Sequence, residues 1–110
     1  MHALDQFLGE LWYTVQTLPA YRGRTTLIVT TDHGRGLTKT DWIDHGEGVP
    51  GSESIWMVLA GAGITPQGEA TNRPEVHQAK VAATVLACLG LSVAEFSVDA
   101  APAVPGSCTR

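Results

Sequence analysis

No stretch of this sequence stays apolar for long. No run approaches the ~20 residues that a membrane helix requires, so no helical span is expected within it. Positive charge is scarce as well. Seven Lys and Arg stand against eleven Asp and Glu, a net charge of −4, which argues against a non-specific nucleic-acid surface. A basic start followed by an apolar stretch is missing from the N-terminus, so no signal peptide is read here. If the parent protein is exported, its signal lies outside this chain. There are no internal repeats. Cysteine is limited to Cys88 and Cys108. Cys88 falls in an apolar helical pattern, where a buried thiol is expected, and Cys108 falls in a tail expected to be mobile. What remains is an ordinary globular mixture, 44% hydrophobic and 16% charged, in 110 residues. That length suits one small domain and is too short for two.

Leu4, Phe7, Leu8, Leu11, Trp12, Val15 and Leu18 repeat at the spacing of one helix face, and Pro19 stops that helix. Residues 25–31, TTLIVTT, are β-branched and apolar at the centre, as in a buried strand. Ile55 to Ala60, IWMVLA, predicts a second strand, closed by the turn Gly61-Ala62-Gly63. His77 to Leu89 predicts a second helix, with Val81, Val85 and Leu89 on one face and Gly90 beyond its end. Trp12, Trp56, Phe7 and Met57 lie in these periodic or strand runs and are assigned to the core. Residues 100–110, rich in Pro and Ala, predict a disordered tail after a folded segment of residues 1–99. The unbroken apolar character of both strands predicts an α/β fold in which they pair in parallel, covered by helices. Two such strands need neighbours, so the chain is expected to be incomplete or to dock onto other strands.

Residues 32–54, DHGRGLTKTDWIDHGEGVPGSES, break this pattern. They are polar, rich in Gly, Asp, Thr and His, and lack an apolar period. Loops of that length are uncommon in compact domains and are often functional. Asp32-His33-Gly34 follows directly on a strand, where open α/β sheets place their sites. An isolated Asp-His-Gly is most often only a turn. After a strand, however, it offers one hard oxygen and one imidazole nitrogen, a pair suited to Zn²⁺ or Mn²⁺. Asp44-His45-Gly46 repeats the pattern thirteen positions on from Asp32 to His45. The chain can therefore loop out and return to the same place.

LIVTTDHG, a later His-Gly, and then an apolar strand together resemble the alkaline phosphatase superfamily. That group contains phosphatases, nucleotide phosphodiesterases, monoester hydrolases, sulfatases and metal-dependent mutases. HQAKVAATVLACLGL is similar to its closing helix, so the resemblance spans about residues 4–91. It implies part of an alkaline-phosphatase-like parallel sandwich and a two-metal site. Asp32 and His33 would hold one ion and His45 the other. Zn²⁺ or Mn²⁺ suit these donors best, with Mg²⁺ and Ca²⁺ as alternatives. The short gap between the pairs is similar to the mutases and some monoester hydrolases, and His33 stands where sulfatases commonly carry Asn. Nothing matches the superfamily's nucleophile or its Asp-x-x-x-His ligand pair. His2 has no Asp four residues before it.

The resemblance thus implies a fragment of a hydrolase acting on small phosphate or sulfate esters, with the remainder of the domain as its missing partner. The alternative is a truncated, non-catalytic metal-binding or docking module. Several loop residues carry a functional reading beside a plain one. Asp44 could orient His45, or point away from it. Glu47 could meet substrate, or be a solvated carboxylate. Arg35 and Lys39 could bind an anionic ester, or be loop charges. Trp42 could line a substrate pocket, or pack over the loop. His77 is read as a surface or capping residue.

Overall fold

Five elements form where local sequence favours them, in a computed structural model that describes residues 2–71 and 74–108. Helix α1 is His2–Thr17, strand β1 is Thr26–Thr30, strand β2 is Met57–Gly61, helix α2 is Lys80–Cys88 and the short helix α3 is Val93–Phe96. The apolar repeat and Pro19 set the extent of α1. Along its exposed side the Gln6 amide donates to the Glu10 carboxylate four residues on, at 2.9 Å. The turn after β2 holds Gly61 and Gly63 at φ values of 101° and 74°, a region that favours glycine. Helix α3 was not anticipated. Its Ser92 hydroxyl accepts from the Glu95 N–H at 3.3 Å, so Ser-x-x-Glu was the available signal.

The strands pair antiparallel in a two-stranded sheet of mixed α/β character. The expected parallel pairing is therefore corrected, and the parallel sandwich no longer describes this chain. The reason lies in the connection. A parallel pair needs a crossover, usually helical, and residues 31–56 contain turns and bends but no helix. Strand ends report the register. The Ala62 N–H donates to the Thr25 carbonyl at 3.0 Å, and the Thr30 hydroxyl donates to the Trp56 carbonyl at 2.8 Å. The chain divides into two compact units. One combines residues up to Thr26 with those from Ala60 onward, and the other is Leu27–Leu59.

Burial is sparse. Every residue of β1 is only partly buried, and Phe7 and Trp56, expected in the core, are exposed. Ala83 is the fully buried apolar residue among the described ones. Beside it on α2 lies Thr84, a buried hydroxyl that is fully used. It donates to the Lys80 carbonyl at 2.7 Å and accepts from the Val104 N–H at 2.9 Å.

That second bond marks a departure from the expected disordered tail. Residues 100–108 are tied down, and residues 109 and 110 lie outside the described residues. Lys80 Nζ donates to the Pro102 carbonyl. Ser107 is buried and bridges to Ile64 in antiparallel fashion. Cys108 donates its N–H to the Gly63 carbonyl at 2.6 Å and forms a disulfide with Cys88. Cys88, expected as a buried thiol, and Cys108, expected in a mobile tail, are thus joined in one crosslink. Proximity of the two cysteines depends on how the segment folds back, which linear spacing does not reveal.

Two substitutions test this arrangement. Closing a ring with a sequence separation of 20 stabilises the fold by about 3 kcal/mol through unfolded-state entropy. Replacing both Cys88 and Cys108 by Ser should therefore lower the urea midpoint and speed hydrogen exchange across 100–108. An unchanged midpoint would refute a structural role for the crosslink. Thr84→Val should cost about 1–3 kcal/mol, because the Val104 N–H loses its acceptor.

Candidate metal centre

Within the unit Leu27–Leu59, the polar loop is a series of hydrogen-bonded turns. The Gly34 N–H donates to the Ser52 carbonyl at 2.7 Å and the Gly36 N–H to the Asp44 carbonyl at 3.0 Å. A methyl group on Gly34 would collide with the carbonyl oxygens of Gly51 and Ser54. This position thus requires glycine because another backbone approaches it closely, a stronger reason than the tight turn expected from sequence.

Thr38 and Asp41 form a reciprocal box. The Asp41 carboxylate accepts from the Thr38 N–H at 2.7 Å and from the Thr38 hydroxyl at 2.6 Å. That hydroxyl in turn accepts from the Asp41 N–H at 3.3 Å. Thr-x-x-Asp is the pattern of a capping box, and sequence reasoning missed it. The Thr38 hydroxyl, then its N–H, favour the charged carboxylate and hold Asp41 below its usual range.

The loop brings the two predicted histidines together. The rings of His33 and His45 stack with centroids 3.9 Å apart and planes tilted by 23°. The His33 N–H is anchored to Asp32 Oδ1 at 3.0 Å. Its ring Nδ1 lies 2.6 Å from the Gly34 carbonyl oxygen. A carbonyl can only accept, so Nδ1 carries a proton, and in the neutral form of the ring the lone pair sits on Nε2. Nε2 in turn lies 3.6 Å from Asp32 Oδ2. With the imidazole protonated this is an ion pair, and in its neutral form Nε2 and the carboxylate oxygen are the two atoms of the pair able to ligate an ion.

The separation of this pair is compatible with a two-ligand contact to an ion. With metal–nitrogen and metal–oxygen bonds near 2.1 Å, a 3.6 Å span subtends about 120° at the ion, within reach of tetrahedral geometry. Lone pairs of imidazole lie in the ring plane, and two stacked planes cannot both contain one ion bonded to each ring. His33 and His45 in this arrangement would serve different ions. Among the described residues, no group of three or more His, Cys, Asp or Glu is gathered to hold a metal. The pair is also open to water, with side-chain exposures of 86% for Asp32 and 43% for His33, which favours loose binding.

The remaining candidates are less engaged. Asp44 contributes its backbone, donating its N–H to the Asp41 carbonyl at 2.7 Å. Its carboxylate and that of Glu47 are on exposed residues, with no described bond to either histidine. The Arg35 guanidinium lies 5.8 Å from the centre of the Trp42 ring, a cation–π contact. Lys39 is exposed, and His77 precedes α2, where its carbonyl accepts from the Lys80 N–H at 3.0 Å. No family model matches the chain, and neither a curated protein nor a solved structure matches it significantly.

The box makes a signed prediction. Because the folded pKa of Asp41 is lowered, its contribution to loop order is present above the ordinary value of 3.8 and fades as pH falls through the lower folded value. Carboxyl-carbon NMR should show Asp41 titrating below 3.8, and Thr38→Val should return it toward that value. An unshifted midpoint in the parent chain would remove the box. Gly34→Ala should disorder the loop, read as loss of the Ser52 contact and of the ring-current shifts shared by His33 and His45.

Proposed function

We infer that this chain supplies Asp32, His33 and His45 as metal ligands in a metal-dependent hydrolase of phosphate or sulfate esters, of the alkaline phosphatase superfamily type. It would supply part of that site, because no nucleophile or further ligand set is identifiable in it. The observation that carries this reading is the face-to-face approach of His33 and His45, twelve positions apart in sequence. Support comes from the loop alone, since the antiparallel strands no longer argue for a parallel sandwich.

Each residue has a defined task. The Gly34 carbonyl holds the Nδ1 proton and so directs the Nε2 lone pair outward. Such a partner on the second nitrogen is the usual companion of a ligating histidine. Asp32 adds a hard anionic oxygen next to it, and its other oxygen fastens the His33 backbone. The stacked His45 offers a second, separate nitrogen. Zn²⁺ or Mn²⁺ suit this mixed set best, with Mg²⁺ or Ca²⁺ as alternatives. When bound, such an ion polarises an ester oxygen and offsets charge that builds up on the transferring group. A second reading, a non-catalytic metal-binding or docking module, is favoured by the small number of gathered ligands.

A titration separates these readings from a plain loop. Zn²⁺ added to the chain should shift the ring signals of His33 and His45 and the Asp32 carboxyl before those of His2 and His77. Affinity should be weak, and His33→Ala should reduce it by roughly tenfold or more. Equal response of all four histidines would refute the site. Aryl phosphates and aryl sulfates should not turn over on the isolated chain. Turnover abolished by His33→Ala would instead show a complete catalyst, with Thr31 or Thr30 as the first nucleophiles to examine.

A further inference from the structure

Three large apolar side chains stand in water within the otherwise polar loop: Leu37, Trp42 and Ile43, at 77%, 53% and 67% exposure. A cation lies over one of them, Arg35 on Trp42. The backbone on both sides of Arg35 is pinned, by Gly34 to Ser52 and by Gly36 to Asp44. Trp42 follows Asp41 directly, and Asp41 is held by the Thr38 box. The two side chains therefore project from fixed backbone. At 5.8 Å from the ring centre the guanidinium is within cation–π range of Trp42, and no side-chain hydrogen bond of Arg35 is described. Among the described residues no carboxylate lies within ion-pair distance of Arg35.

We propose that Arg35 and Trp42 form a recognition platform for an aromatic phosphate or sulfate monoester. This deepens the ester-hydrolase reading and rests on it. The fork of Arg35 takes the ester anion, since planar donors suit phosphate and sulfate oxygens. Trp42, flanked in sequence by Ile43 and with Leu37 nearby in the loop, takes the flat apolar body by stacking. Charge alone does not draw an anion to this loop, so the apolar surface decides which anion it takes. Residues 32–54 hold five carboxylates, Asp32, Asp41, Asp44, Glu47 and Glu53, against Arg35 and Lys39. A bare anion meets a net negative loop and gains little there. An ester that also buries an aromatic ring gains from the apolar surface as well.

The test follows the Trp42 indole N–H of the full 110-residue chain by NMR, with and without Mg²⁺. Phenyl phosphate should shift it saturably, at concentrations at least tenfold lower than inorganic phosphate or phenol. Arg35→Ala should weaken the response tenfold or more, and Arg35→Lys, which keeps charge but not the fork, should restore it only in part. Trp42→Phe, which keeps an aromatic face, reports through the Arg35 side-chain signal. The His33 and His45 response to Zn²⁺ is read separately in each variant, so failure of the metal reading and failure of this one are distinct. A response that does not saturate, that is equal for phosphate and phenyl phosphate, or that survives Arg35→Ala overturns the proposal.

Discussion

The antiparallel pairing of β1 and β2 is the constraint from which the candidate site follows. It brings the end of β1 beside the start of β2, with the Thr30 hydroxyl on the Trp56 carbonyl. The segment between them is thereby closed into a loop whose two mouths are fixed. Closing a chain of that length costs entropy that grows only slowly with length. The internal turns then offset much of what remains. Gly34 on Ser52, Gly36 on Asp44 and the Thr38–Asp41 box divide the loop into short pieces. Only with those pieces in place do His33 and His45 stack.

The other compact unit relies on a different device. It buries little apolar surface, with Ala83 as the fully buried apolar residue among those described. Small cores of this kind need staples. Here the disulfide between Cys88 and Cys108 and the two hydrogen bonds of Thr84 tie the last described segment to α2. Many large apolar side chains nevertheless remain in water, including Leu4, Phe7 and Tyr13 on α1 and Leu89 and Phe96 near α2 and α3.

The chemistry of the loop depends on which atoms its hydrogen bonds hold. A carbonyl beside Nδ1 decides the His33 tautomer, and the tautomer decides that Nε2 faces Asp32 as an acceptor. In the same loop the Arg35 guanidinium lies over Trp42 within cation–π range. Both features are local, and both lie within one compact unit.

The sequence by itself determined α1, α2 and both strands, and the identity of the candidate residues. Apolar spacing marked α1 and α2, β-branched runs marked both strands, and the two Asp-His-Gly triplets marked Asp32, His33 and His45. Those signals are readable because side-chain periodicity and turn chemistry act over a few residues. Strand direction, the Cys88–Cys108 pairing and the docking of residues 100–108 were decided only by tertiary structure. So were the stacking of His33 on His45 and the exposure of Phe7 and Trp56. Each of these depends on contacts between residues distant along the chain, and the strength of such contacts is set by what the rest of the fold leaves uncovered. A Thr-x-x-Asp box and a missing crossover helix were legible locally, and the second already spoke for antiparallel strands. The apolar continuity of the two strands carried more weight in the sequence reading, yet it reports burial rather than direction.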